Sequence, residues 1–321
     1  MKPKILTFCL DKRDTTAFWR GTFHAYINHK DFEIKDISDN KIFDWTTFLG
    51  YSILWIQRPF GREHTQVITA AKNMGLKIIL DYDDDLTCVD MYNPTYELYK
   101  SNQANLQTCL QLSDEIWTST ESIKQSYLPF NKNIHVIPNA HNNYIFNIKL
   151  KRLFAPNKTV YYRGGGSHQA DVMQVADTLV KVINDSPEWT FMFQGDRFTY
   201  IEQRTGDNHH IIPPMTILEF FRYLNETNPC AMIFPLCDTI FNRGKSNISW
   251  LEASYSGAAF FGNTRLPEFN KEFILPIEAF GNEWDMPLLE RMNHESWEYI
   301  CDELLLSNIN KLRVNRILEN L

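Results

Sequence analysis

Short apolar runs alternate with amphipathic stretches along this chain, and they do so in two successive series. In the first series strands are expected at Lys4–Cys9, Phe32–Ile37, Ser52–Gln57, Leu76–Leu80, Glu115–Thr118 and Ile134–Ile137. Helices are expected between them at Thr16–Asn28, Glu63–Met74, Tyr96–Leu112 and Ser122–Leu128, with Gly75 as the stop after Met74. The second series places strands at Thr159–Tyr162, Thr190–Phe193, Ala231–Phe234 and Ala258–Phe261. Its helices are expected at Gln169–Ile183, Ile217–Leu224 and Ile248–Ser256, with one or two more over Trp297–Leu318. No internal repeat or low-complexity tract interrupts the pattern.

Strands that alternate with helices form parallel sheets through right-handed crossovers, which makes this an α/β chain. Two series separated near Asn147–Asn157 predict two Rossmann-like domains, 1–150 and 151–295, facing a cleft. The 321 residues suit two domains of about 100–200 residues each. Ligands of such sheets bind at the carboxyl ends of the strands. Chemistry is therefore expected in the loops Asp81–Leu86, Pro138–Asn143, Arg163–His168, Gly195–Arg197, Pro213–Thr216 and Leu236–Asn247.

The 32 Lys and Arg against 39 Asp and Glu give a net charge of −7. A protein that grips nucleic acid over its whole surface is normally basic, so any anion bound here must meet a local cluster. The start of the sequence carries no secretory apolar region, and no stretch reaches the ~18 apolar residues of a membrane span. Six scattered cysteines without metal-ligand spacing read as free thiols of a reducing compartment, so a cytoplasmic location is expected.

Four constellations stand at the strand ends. Arg163-Gly-Gly-Gly-Ser167-His168 lies directly between a strand and a helix, where glycines admit a ligand to the backbone and unpaired N–H groups attract an anion. A plain turn with a Ser cap has the same composition, and the glycine spacing is not that of a dinucleotide fingerprint. Asn242-Arg-Gly-Lys245-Ser246-Asn247 leads into Ile248–Ser256 as a second basic helix start. It is no Walker loop, because Thr239 stands where that motif needs glycine. Glu252, one turn into the helix, suits paired ribose hydroxyls, although a solvated helix face would also hold a glutamate.

Asp81-Tyr-Asp83-Asp84-Asp85-Leu86 suggests sugar-hydroxyl contacts, a divalent cation or a solvated acidic turn, with the lining of a cleft favoured. Pro138-Asn-Ala-His141 is a turn at the boundary between the two series. His141 and His168 are acid/base candidates, though an isolated histidine is more often structural, and His209-His210 reads as surface.

Taken in order, Asp81–Leu86, Val136-Ile-Pro-Asn139, Tyr161–Asp171 and Lys245–Ala253 followed by Gly257-Ala258 resemble a GT-B glycosyltransferase of family 4. The branch concerned carries D-x-D-D, P-N, G-S-x-T-H-x-x-D and K-S…L-E-A…G motifs, and the likeness covers roughly residues 75–265. It implies a nucleotide-diphosphate sugar as donor, no required cofactor, no metal, and usually retention at the transferred carbon. Arg163 and Lys245 would meet the diphosphate, and Asp83 and Asp84 would orient sugar or acceptor hydroxyls; these four are the expected catalytic residues. Gly165, Ser167, His168, Ser246 and Asn247 would help to hold the donor, Glu252 the ribose, and backbone near Ile212 the base. Residues 296–321 would cross back to the first domain.

The chain departs from that pattern where Gly244 replaces the first of two glutamates and where Ser167 directly precedes His168. The first domain has Trp19-Arg20-Gly21 in place of a pair of glycines. Gly244 leaves open a non-catalytic nucleotide-sugar binding module of the same fold, and the aspartate run a metal-dependent phosphohydrolase. The acceptor is open between a glycan, a protein side chain, a small metabolite and a hydroxylated DNA base. Lys-, Asn- and Ile-rich composition fits an AT-rich genome, a viral one included, which keeps DNA modification among the options. A DNA acceptor requires a basic strip, with Lys12, Arg13, Arg20, Arg58 and Arg62 as its expected members.

Overall fold

The computed structural model describes residues 2–9, 17–38, 45–146, 157–281 and 285–321. The expected break between the two series therefore falls largely outside the described residues. Among the described residues twelve strands form two six-stranded sheets, and every pairing between named strands is parallel. The first sheet comprises β1 (Lys4–Cys9), β2 (Glu33–Asp36), β3 (Ile53–Gln57), β4 (Lys77–Tyr82), β5 (Glu115–Thr118) and β6 (Ile134–Val136), in the order β2-β1-β3-β4-β5-β6. The second comprises β7 (Asn157–Gly164), β8 (Thr190–Gly195), β9 (His209–Ile212), β10 (Pro229–Phe234), β11 (Ala259–Gly262) and β12 (Leu275–Pro276), in the order β12-β11-β10-β7-β8-β9. Both orders reverse direction next to their first strand, at β1/β3 and at β7/β10.

The central strands β3, β5 and β10 are buried at every position, as expected of strands covered on both faces. The edge strands β2 and β9 are only partly covered. A continuous apolar core joins the sheets through aromatic rings: Trp19 lies 5.7 Å from Phe221, and Phe146 4.4 Å from Phe221. A second cluster fills the other face of the first sheet, around Leu54, Ile78 and Ile116.

Polar bonds also span the two sheets. Thr239 Oγ1 donates to Asp90 Oδ2 at 2.8 Å, Thr120 Oγ1 to the Gly244 carbonyl at 3.3 Å, and Asn247 Nδ2 to the Asn139 carbonyl at 3.4 Å. The helix Met286–Glu303 packs on β10 and β11. The chain then turns at Leu304-Leu305, where the Leu304 carbonyl accepts from His141 N at 2.8 Å, and runs as the helix Leu306–Asn320 against the first sheet. There Arg316 Nη2 reaches Glu115 Oε2 at 2.8 Å and Asn320 Nδ2 reaches the same oxygen at 2.7 Å.

β1 and β5 have the expected bounds, and the other expected strands recur with shifts of a residue or two. Four expected helical stretches differ; the one expected from Trp297 begins at Met286, and the other three are shortened or divided. Of Thr16–Asn28, the described part is two short turns, Ala17–Gly21 and Phe23–Tyr26. The chain here is pressed onto the ends of β1 and β3, and a Cβ on Gly21 would lie 2.6 Å from Cys9 Sγ and 2.7 Å from Gln57 Oε1. Tyr96–Leu112 divides at Asn102, and Gln169–Ile183 divides into Gln169–Met173 and Ala176–Asp185. The short helix Ile240–Arg243 and the strand β12 carry too few residues to show a period and were not expected.

Candidate active site

At the β7/β10 switch point the two connecting loops leave toward opposite faces of the sheet, and a cavity of about 580 Å³ opens between them. One wall is the end of β7 with the turn that follows it, Arg163–His168. The other is Lys245 and Ser246 with the first turn of the helix Ile248–Ser256. Asp83 and Asp84 reach in from the end of β4, and Asp196 stands at the end of β8. The glycines serve close approach. Gly195 has φ +106°, and a Cβ there would lie 2.0 Å from the Gly164 carbonyl oxygen.

Arg163 and Lys245 each rest on an aromatic face and on one carboxylate. The Arg163 guanidinium lies 4.4 Å from the Phe220 ring centre, and its Nη1 donates to Glu252 Oε1 at 2.6 Å. Glu252 is 1% exposed because Ile248–Ser256 is buried on most sides. Burial raises its carboxyl above the usual range, and the Arg163 charge and hydrogen bond pull it back only in part. Lys245 Nζ lies 4.4 Å from the Phe241 ring centre and donates to Asp84 Oδ1 at 2.9 Å.

The acidic run is shared out among separate partners. Arg58, at the end of β3, donates Nη2 to Asp83 Oδ2 at 2.5 Å and to Asp84 Oδ2 at 2.9 Å. Burial raises the Asp83 carboxyl, with Arg58 opposing and Asp84 adding to the rise. Asp84 is desolvated too, but the charges of Lys245 and Arg58 outweigh burial and hold it below the ordinary carboxylate range. Asp81 and Arg20, both fully buried, are bonded to each other. Asp85 accepts from Thr87 N at 3.0 Å. Among the described residues no three His, Cys, Asp or Glu side chains gather as a metal-ligand group.

The histidines differ sharply. His168 Nδ1 lies 2.8 Å from Asp171 Oδ2, and its ring stands edge to face with Phe234 at 4.9 Å on the cavity wall. His141 is wholly buried between Tyr255 at 4.9 Å and Trp297 at 5.0 Å, and burial pushes its imidazole down to about 3. It is a packing residue of the seam between the sheets. His209 is only half-exposed, with its Nδ1 2.9 Å from Thr205 Oγ1 and its ring 4.8 Å from Phe193; the expected surface position holds for the more exposed His210 alone.

Eight of the expected site residues share the cavity: Asp83, Asp84, Arg163, Gly165, Ser167, His168, Lys245 and Ser246. Three stand behind its wall. Asn247 is buried against the Asn139 carbonyl, and Glu252 against Arg163. Ile212 ends the edge strand β9, and the chain reaches the cavity two residues later, at Pro214 and Met215. At Gly244 a Cβ would meet Asp85 Cβ, Ile123 Cγ1 and the Phe241 carbonyl at 3.3 Å each, so the contact between the sheets leaves little room for a glutamate.

Arg58 was expected only as part of a basic strip, Asp171 only as the end of a motif and Asp196 only within a strand-end loop; none was expected as a donor-site residue. Arg58 and Asp196 each follow a strand directly, and that position was their signal. The expected basic strip does not form as such. Arg20 is buried on Asp81 and Arg58 is held by Asp83 and Asp84, while Arg62 is exposed. Lys12 and Arg13 lie outside the described residues.

Neither a protein-family model nor a curated protein sequence matches this chain. Solved structures do. The lipopolysaccharide outer core galactosyltransferase WaaB superposes with TM-score 0.60 at 13% identity, covering 100% of both chains. A glycosyltransferase from Rickettsia africae gives TM-score 0.62 at 11% identity, covering 99% of this chain and 98% of that one. The fold is GT-B. A UDP-GlcNAc 2-epimerase from Neisseria meningitidis, bound to UDP-GlcNAc, superposes with TM-score 0.53 at 11% identity over 98% of this chain and 100% of that one, so the GT-B architecture serves more than one reaction.

Proposed function

We propose that this GT-B protein transfers a sugar from a nucleotide-diphosphate sugar to an acceptor hydroxyl. One observation carries the reading. Arg163, at the end of β7, and Lys245, in the loop after β10, face one cavity at the β7/β10 switch point, and Asp83 and Asp84 line the same cavity from the first sheet. In this reading residues 1–150 and 151–295 are two domains, donor and acceptor meet between them, and 296–321 ties the second back to the first.

The chemistry asks for cations where the leaving group gains charge. As the sugar–phosphate bond breaks, its electron pair stays on the diphosphate. Arg163, Lys245, the glycine-rich backbone and the helix start at Ile248 supply positive potential there. The sugar carbon bonds to the acceptor oxygen, and the acceptor proton passes to the departing phosphate oxygen, so the step balances without a protein base. The donor enters by taking over cations that Asp84 and Glu252 hold in the free protein. UDP accompanies a glycerol-linked GlcNAc in the TarM mutant complex from S. aureus, which has the same fold, and UDP accompanies GlcNAc in pneumococcal GtfA. These parallels favour a donor of this class.

Six free thiols, three of them buried, support a reducing compartment such as the cytoplasm. Among the described residues no helix is long and apolar enough to cross a membrane. The test is incubation with UDP-glucose, UDP-GlcNAc, GDP-mannose and ADP-glucose, following nucleoside diphosphate release and binding heat. Binding with slow release of the diphosphate is expected. Binding with neither release nor transfer favours a binding module, and absence of binding to all four overturns the reading.

A further inference from the structure

The geometry points to a fixed hydrogen-bond polarity at His168: Asp171 holds its Nδ1 as the N–H, so that Nε2 presents a lone pair to a hydroxyl of the transferred sugar. The sugar contact rests on the proposed function, whereas the polarity does not. Asp171 is a positioning residue in this scheme, and His168 the residue that touches the ligand.

Three donors converge on the Asp171 carboxylate, which is 5% exposed. Oδ1 accepts from Cys237 N and from Asn242 Nδ2, both at 2.8 Å, and Oδ2 faces His168 Nδ1 at 2.8 Å. A carboxylate only accepts, so the nitrogen facing it carries hydrogen and the other ring nitrogen of the neutral imidazole is an acceptor. The ring cannot simply turn, because Asp171 binds one edge and Phe234 stands against it at 4.9 Å. Cys237 and Asn242 belong to the loop after β10, and His168 to the loop after β7. Asp171 therefore also holds the two walls of the cavity at a set spacing.

An acceptor nitrogen is unsuited to a phosphate oxygen, which has no hydrogen to give. It suits a hydroxyl. Asp83 and Asp84, the residues expected to meet sugar or acceptor hydroxyls, line the same cavity as His168.

Asp171→Asn tests the idea without emptying the site. Two donors already claim Oδ1, so the amide must keep its oxygen there and turn its NH2 toward His168 Nδ1. That reverses the polarity: Nδ1 becomes the acceptor and Nε2 the N–H. Long-range proton–nitrogen NMR at pH 8 reads the tautomer directly. The expected result is Nδ1–H in the wild type and Nε2–H in Asp171→Asn, and an Nε2–H wild type overturns the assignment. Calorimetry with UDP-glucose and GDP-mannose, each beside its parent UDP or GDP, reads the sugar contact. The nucleotide sugar is expected to bind about tenfold more weakly to Asp171→Asn, with the parent diphosphate changed less than about twofold. Equal losses for both overturn the sugar contact. Should Asp171→Asn misfold, His168→Phe keeps the ring packing on Phe234 and removes the acceptor, with the same split expected. If the wild type binds neither the sugar nucleotides nor UDP and GDP, the functional reading and the sugar contact fall together, while the NMR result decides the polarity separately.

Discussion

Lys245 Nζ and Asp84 Oδ1 lie 2.9 Å apart, with the lysine on the loop after β10 of the second sheet and the aspartate on the loop after β4 of the first. The pair spans the two sheets at the cavity, and in the proposed reading it occupies the cation that a diphosphate would use. Lys245→Ala is expected to lower turnover at least ~100-fold, the scale of losing one charge-stabilising donor, and Arg163→Ala to do the same. Near-normal turnover in both would remove the assignment. Asp84→Asn keeps the shape and frees Lys245. It should tighten binding of a nucleoside diphosphate alone by a few-fold in calorimetry, and unchanged affinity would show that Asp84 does not compete for the lysine.

Arg58 has φ +49°, a left-handed conformation for a non-glycine residue, and it is the shared cation of Asp83 and Asp84. Two costs separate here. Removing the guanidinium leaves Asp83, 2% exposed, without its main partner, at a penalty on the order of 3 kcal/mol. Keeping a Cβ in the left-handed region costs a further ~1 kcal/mol. Both Arg58→Ala and Arg58→Gly should therefore lose stability in urea titrations, but Arg58→Gly by about 1 kcal/mol less, in spite of its greater freedom when unfolded. A glycine variant less stable than the alanine one would mean that the backbone at 58 is not strained.

The same residue shows what could be read in advance. Parallel strands covered on both faces are nearly continuous apolar runs, so Ile53–Gln57 and Glu115–Thr118 announced themselves and the loops after strands were searched for the right reason. Pairings across the sheet did not announce themselves. Arg58 meets Asp83 because β3 and β4 are neighbours, and Glu115 meets Arg316 because the last helix returns to the first sheet, 201 positions later. His141 looked reactive in its local turn, yet Tyr255 and Trp297 bury it from the other series. Glu252 was expected at the cleft from its helix position, the basic residues just upstream and the family resemblance, and the burial of Ile248–Ser256 sets it against Arg163 behind the cavity wall. Local pattern reports which element a residue occupies, and long-range packing decides what its side chain meets.

Gly195 ties the cavity to the sheet. With φ +106° and a Cβ position 2.0 Å from the Gly164 carbonyl oxygen, alanine at 195 must push β7 and β8 apart at their carboxyl ends. The expected cost is at least ~2 kcal/mol, read as a fall in denaturation midpoint. Nucleotide binding should weaken as well, because Gly164–Gly166 form the wall that moves. Gly165→Ala is the control: a Cβ there meets nothing within 4 Å, so stability should stay within about 0.5 kcal/mol. Equal losses from the two substitutions would contradict the close approach at Gly195.

His141 makes the seam between the sheets sensitive to acid. Its imidazole is pushed by burial from 6.5 to about 3, so in mild acid the unfolded chain binds a proton that the folded chain does not. Stability is then full above pH 6.5 and falls as the pH drops toward 3, by roughly 2 kcal/mol at pH 5 from this group. His64, His135 and His209 are also lowered by burial and add to the same trend, so the wild type alone does not isolate the effect. His141→Phe does. Phenylalanine keeps an aromatic ring between Tyr255 and Trp297, and among the described residues neither imidazole nitrogen of His141 has a hydrogen-bond partner to lose. The variant is expected to lose several degrees less in melting temperature between pH 7.5 and pH 5 than the wild type does. The same drop in both proteins would assign the acid sensitivity to the other histidines.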